Sequence, residues 1–279
     1  MAYTLFNLLV DVYDELGKLN VSQATSGSTT TIVDTFLDKN NTENNAWKGG
    51  TYFIIYADGA SPEGLMGRIT SSSASSQSFT FDAIATAVEA GDTYGYASQE
   101  YPLYQVIQSC NRGLRALGSV PKVDESLTVV TGQTEYALPA ALKRKPPLSV
   151  WVATDTDADD QQWKEVRGWR VEPSAPGATA LLIMPNDNYA GKTIKLIYNA
   201  SHDDVKLSTD VINEYIEPVL AKWTCVHAAL KWQNGRSNVT NAGVLQDLQD
   251  AKAELAAAQR LYKIWKPSRK ARLMEVWRA

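Results

Sequence analysis

The side chains best spaced to do chemistry are the carboxylates of Asp155-Thr-Asp157-Ala-Asp159-Asp160. Acids two apart match the opening of a calcium-binding loop, in which alternate side chains turn toward one cation. Such a loop also needs Gly at its sixth position and a bidentate Glu at its twelfth. Those positions hold Asp160 and Val166, and Glu165 is out of register. Asp155, Asp157, Asp159 and Asp160 therefore read as a solvated acidic hairpin tip. At most it binds a cation weakly or faces a basic patch on a neighbour. The chain has two histidines: His202 precedes a run of helix-cap candidates, and His227 sits on an apolar stripe and reads as a core residue. No His or Cys cluster has metal-site spacing. Nucleophile elbow, glycine-rich phosphate loop and dinucleotide fingerprint are all missing; Gly49-Gly50 and Gly64-Leu-Met-Gly67 read as turn glycines. Paired acids for glycoside hydrolysis leave no trace in a sequence, and nothing favours them. The expectation is no enzyme, no cofactor and no metal.

Charge is distributed unevenly. The net charge is −4, yet the last twenty residues hold seven basic side chains and one acid, Glu275, leaving −10 on the rest. An acidic body with a basic tail is a layout and not an average. The tail is either a solvated extension or a docking element for an acidic neighbour or nucleic acid. No apolar run approaches the ~20 residues that span a bilayer. The opening stretch to Leu19 carries Asp11, Asp14 and Glu15, which argues against a secretory signal. Cys110 and Cys225 lie on apolar helical stripes and read as buried free thiols.

The elements that carry these residues follow from periodicity. Leu5, Leu8, Leu9, Val12, Leu16 and Leu19 predict a helix over 3–19. From Val21 to about Gln99 the chain turns Ser-, Thr-, Gly- and Asn-rich, with about five β-prone runs at 28–33, 51–56, 67–70, 78–81 and 92–96. This predicts a small inserted barrel or sandwich-like module. Leu103, Val106, Ile107, Cys110, Leu114 and Leu117 form the face of a second helix, with Pro102 in its first turn and Gly118 as its stop. The first two helices are expected to pack together or on the C-terminal ones. Runs near 127–130, 134–138, 148–152, 163–166, 169–171, 180–184 and 193–198 predict a second antiparallel domain, a meander or sandwich. A helix from Val211 to Leu230, kinked near Glu214 by Pro218, should follow, with caps among 208–210. Val244, Leu248, Ala251, Leu255, Ala258, Tyr262 and Trp265 then form the seam of a helical hairpin. The expected fold class is α+β: a helical bundle carrying two β-modules, a C-terminal hairpin and a basic tail. Its parts are helices in 1–20 and 100–119, modules 21–99 and 120–207, hairpin 208–265 and tail 266–279.

The first module holds the strings Ser28-Thr-Thr-Thr-Ile-Val-Asp34, Trp47-Lys-Gly-Gly-Thr51, Arg68-Ile-Thr70 and Glu89-Ala-Gly-Asp-Thr-Tyr94. The second holds Gly132-Gln-Thr-Glu-Tyr-Ala-Leu-Pro139, Trp163-Lys-Glu-Val166, Ala190-Gly-Lys192 and Leu196-Ile-Tyr198. These strings resemble those of tailed-bacteriophage neck proteins, the head–tail connector or adaptor family. The resemblance implies a structural virion protein in the neck, made in the host cytoplasm. It implies a ring of copies, commonly a dodecamer, that joins the portal protein to the tail or a second neck protein. DNA would pass through its channel without sequence-specific binding, and the ring would help retain and eject the genome. By that analogy Lys266, Arg269, Lys270, Arg272 and Arg278 contact the portal, with Leu273, Met274 and Trp277 as apolar anchors. An acidic lumen would keep phosphate from sticking as it passes.

Two other readings stand beside it. One is a tail, baseplate or fibre-attachment protein, for which trimeric assembly is the usual sign. The other is a carbohydrate-binding module stacking sugars on Trp47, Trp151, Trp163 or Trp169; equally, these rings are core or subunit contacts.

Overall fold

The computed structural model describes residues 2–37, 43–58, 62–142, 146–154, 162–172, 179–185, 189–236 and 242–264. The chain divides into two compact units, one of Met1–Leu117 with His202–Lys263, the other of Gly118–Ser201 with the residues from Ile264 onward.

In the first unit, α1 (Leu5–Glu15) buries Leu5, Leu8, Leu9 and Val12, the stripe that periodicity predicts. It ends four residues before Leu19. Gly17 adopts φ +62°, and the Gly17 and Lys18 amides donate to the Asp14 and Tyr13 carbonyls, at 2.8 and 2.9 Å. This left-handed stop satisfies carbonyls the helix would otherwise leave open. The helix start is tied to the segment before the C-terminal helices: the Leu5 amide donates to the Asp210 carbonyl and the Ile212 amide to the Tyr3 carbonyl.

The inserted module holds β1 (Asn20–Gln23), β2 (Ser26–Gly27), β3 (Thr31–Val33), β4 (Thr51–Tyr56), β5 (Met66–Ser73), β6 (Ser78–Phe81) and β7 (Thr93–Ala97). They form one antiparallel sheet in the order β1-β7-β4-β5-β6-β3-β2. The expected barrel is therefore corrected to an open sheet, because β1 and β2 are its two edges and no ladder joins them. β1 ladders to β7 and β2 to β3, at opposite ends of the strand order. The five runs read from sequence correspond to β3–β7. The two edges are additional, and their mostly exposed polar residues carry no apolar period. Ile32, Ile54, Ile69, Phe79, Phe81 and Tyr94 form the core.

Gly50 leads into β4 where two strands meet. A Cβ there would lie 2.2 Å from the Ala97 carbonyl oxygen of β7, which is backbone and cannot swing away. Gly50→Ala should therefore cost about 2–3 kcal/mol, as overpacking at a rigid contact does. Urea denaturation followed by circular dichroism checks this, and a loss near zero would show that the β4–β7 junction yields.

α2 (Leu103–Ala116) opens after Pro102, which is extended and occupies the cap position, just outside the expected first turn. It buries Val106, Ile107, Cys110 and Leu114 and stops before Gly118 at φ +99°. Both α1 and α2 pack on α3 (Pro218–Arg236), and α4 (Ala242–Leu261) packs on α3 as well. Here a second correction is needed. Pro218 does not kink a helix begun at Val211; it begins the helix, where its missing amide hydrogen costs nothing. Residues 211–217 are irregular chain that still buries Ile212 and Ile216. Nor do residues 208–210 cap α3: the Asp210 carboxylate accepts instead from the Lys206 and Leu207 amides, which holds its pKa below the usual range. Along α4 the predicted seam faces inward, with Ala251 and Ala258 buried and Val244, Leu248 and Leu255 half-buried. Trp265 lies outside the described residues.

The second unit holds β8 (Ser119–Thr128), β9 (Glu135–Ala137), β10 (Ser149–Ala153), β11 (Trp163–Glu165), β12 (Arg170–Glu172), β13 (Leu181–Ile183) and β14 (Thr193–Ser201). Two antiparallel sheets result, β11-β10-β14-β8 and β12-β13-β9. Both contribute to one core, including Val150, Val152, Leu182, Ile194 and Leu196. The first and last strands pair, β8 with β14, so the chain is not a simple meander. β8 starts earlier than its apolar end suggests, at Ser119, and contains Pro121; as an edge strand it tolerates a proline. No helix among the described residues is long and apolar enough to cross a membrane.

Candidate interaction site

The residues that sequence reasoning favoured for docking fall in two segments. Lys266, Arg269, Lys270, Arg272, Leu273, Met274, Trp277 and Arg278 all lie outside the described residues, as do Asp155, Asp157, Asp159 and Asp160. The frame of the acidic segment is nonetheless clear. Ala153 of β10 pairs with Trp163 of β11, so the segment joins two hydrogen-bonded antiparallel strands.

The four tryptophans of the sugar-binding reading do not form an open platform. Trp47 is half-buried, edge-on to Phe79 and Tyr96, and Trp169 belongs to the core of the second unit. Trp151 and Trp163 share the outer face of the β10–β11 pair, opposite the buried Val150 and Val152. The Trp151 indole donates to the Ser149 hydroxyl, and the Lys195 ammonium sits 3.6 Å from the centre of the Trp163 ring. That cation covers a face that a sugar would need.

Asp34 and His202 are committed to structure. The Asp34 carboxylate accepts from the Ser22 and Tyr94 hydroxyls and the Phe36 amide. His202 Nε2 accepts from the Asn213 amide at 3.1 Å while Nδ1 donates to the Asp203 carbonyl, an arrangement that needs the neutral ring. His227 is pushed below its ordinary pKa by burial and by Lys231 and Lys252. Cys110 and Cys225 are both buried free thiols, as expected, and burial, then the adjacent Cys110, push the Cys225 thiol up. Among the described residues, no group of three His, Cys, Asp or Glu side chains could hold a metal ion.

Burial has a measurable consequence for the tyrosines. Tyr52 and Tyr101 are pushed up to about 12, chiefly by burial, and burial pushes Tyr13 and Tyr94 higher still. The unfolded chain releases these protons near pH 10. The folded state holds them longer, so their contribution to stability is complete below pH 10 and is lost as pH rises toward 12. Tyrosinate absorbance and circular dichroism should therefore change together above pH 10. Full ionisation near pH 10 with the fold intact would contradict it.

The open surface of the first unit supplies the feature that sequence reasoning missed. A cleft of about 1140 Å³ is lined by Arg68 of β5, Gln99 and Glu100, the start of α2 at Leu103–Gln105, and Trp232, Gln233 and Arg236 near the end of α3. The Arg236 guanidinium stacks 5.2 Å from the centre of the Trp232 ring. Glu100 is neutralised by Lys18 at 3.0 Å, whereas neither arginine has a carboxylate partner among the described residues. No side chain caps α2 and its first turn holds no acid, so its leading amides add positive potential to the cleft. The buried Gln233 side-chain oxygen has no hydrogen-bond partner among the described residues. Arrayed this way, the groups can hold an anion. No spacing in the sequence announces the site, because its residues come from four separate stretches of chain.

No protein-family model matches this chain, and no curated protein matches it.

Proposed function

We propose that this chain is a structural virion protein that assembles as a ring between portal and tail, extends the DNA channel, and helps retain and release the genome. The observation that carries the reading is the arrangement of the chain around α3. One helical body is interrupted twice, by a seven-stranded sheet between α1 and α2 and by a two-sheet unit between α2 and α3. A body of this kind can meet one partner through its helices and another through its β-modules, as a connecting ring must. The strings that resemble those of neck proteins run through both modules and support the same reading. So does the charge layout, an acidic body ending in a basic segment suited to an acidic partner surface.

The test is the native mass of the purified protein alone and mixed with the portal protein of the same virion. A monomer that closes into a ring on the portal is the expected result. A stable trimer would move the protein to fibre attachment, and no assembly under any condition would overturn the ring.

A further inference from the structure

We infer that the cleft between β5, α2 and α3 is a docking site for an acidic peptide segment, and that its occupant is the Asp155–Asp160 loop of a second copy of this chain. The inference rests on the ring reading, since a closed ring needs two different, complementary patches on each subunit. The cleft supplies one of them. Arg68 and Arg236 are exposed, without carboxylate partners among the described residues, and reinforced by the uncapped start of α2. Stacking on Trp232 holds the Arg236 fork over one wall, so less freedom is lost when it binds. The loop supplies the other patch: four carboxylates in six residues, joining β10 to β11 of the second unit. Arginine forks suit carboxylates because two parallel N–H donors meet two oxygens.

One further observation favours a peptide over a small anion. At about 1140 Å³ the cleft exceeds the ~300–1,000 Å³ of most small-molecule sites. Glu100 would oppose an acidic ligand, but Lys18 already pairs it.

The experiment uses the full chain and a labelled synthetic peptide of residues 154–162, followed by fluorescence anisotropy at low salt. Saturable binding to the wild type is expected, roughly tenfold or more weaker in R68E/R236E, with a peptide carrying Lys at the four Asp positions binding that variant instead. Both arginines are exposed, and an unchanged thermal midpoint shows that the variant is folded. Equal affinity of wild type and R68E/R236E, or no saturation of either, overturns the inference. Assembly on the portal separates the two claims. Rings formed by R68E/R236E as readily as by wild type overturn the cleft contact and leave the ring reading intact. Arginine-dependent peptide binding by a chain that never assembles supports the cleft and overturns the ring.

Discussion

A chain ending at Trp265 should unfold at the same temperature as the full protein and bind portal rings about a hundredfold or more weakly. The two halves of this result have separate causes. The last core member among the described residues is Ala258, which the shortened chain keeps. The helical seam through Tyr262 is also kept. The removed segment holds Lys266, Arg269, Lys270, Arg272 and Arg278 around Leu273, Met274 and Trp277. A buried Trp anchor alone is worth about 2 kcal/mol or more at a protein interface, and the cations chiefly speed the encounter. Docking of the full chain should therefore weaken as salt rises, while the anchor's share persists. Co-sedimentation with portal rings and a thermal melt measure both halves. Normal co-sedimentation of the truncated chain would remove the tail from the interface.

Replacing Asp34 with Ala should destabilise the first unit by about 3–5 kcal/mol, the largest single-residue effect on stability expected here. Asp34 is fully buried. One carboxylate oxygen takes the Ser22 and Tyr94 hydroxyls at 2.5 and 2.8 Å, and the other takes the Phe36 amide at 2.8 Å. Alanine leaves the buried Tyr94 hydroxyl without an acceptor; Ser22 is partly exposed and Phe36 exposed, so both can turn to water. The stranded hydroxyl costs about 1–3 kcal/mol, and a methyl group does not fill the space left behind. Asp34→Asn keeps the shape and one acceptor, and the two hydroxyls can rotate to accept from its amide group. Its cost should be about 1–2 kcal/mol. Urea denaturation of the two variants separates the terms. Equal losses would mean that the carboxylate's shape matters and its hydrogen bonds do not.

The resemblance to neck proteins and the cleft bear on function from different directions. The resemblance rests on strand and turn strings spread through two modules, so it speaks to the whole assembly. The cleft is local, built from two guanidiniums without carboxylate partners among the described residues, a stacked indole and a helix start that no side chain caps. If both hold, the ring is closed by acidic loops seated in basic clefts while the tail grips the portal. Salt would then loosen both contacts, and the R68E/R236E variant would loosen only the first.

Legibility in the sequence followed the range of the interaction. β4 and β6 occupy 51–56 and 78–81, the runs their apolar residues mark out, and the inward face of α4 is the seam its repeat describes. Gly118 stops α2 as its place after the apolar stripe predicts, because a positive φ is a property of one residue and its neighbours, whereas Gly17 ends α1 short of the predicted Leu19. Pro218 shows the limit. The helical repeat of Val211, Ile212, Tyr215 and Ile216 was real, but irregular chain can bury two isoleucines as well as a helix can. What settled the boundary was a bridge to Thr4, more than two hundred residues away.

The sequence by itself determined the alternation of helical and β segments, the buried thiols and the uneven charge, because periodicity, residue type and charge are written along the chain. Only the tertiary structure decided the rest. β1 and β2 became strands because β7 and β3 offered them ladders, although their own side chains mark no face. The module forms an open sheet because β1 ladders to β7 and β2 to β3, at opposite ends of the strand order. Arg68, Gln99, Tyr104 and Arg236 line one cleft because α2 and α3 pack side by side within the first unit. Such neighbours are chosen by packing between distant segments, and no local pattern records that choice.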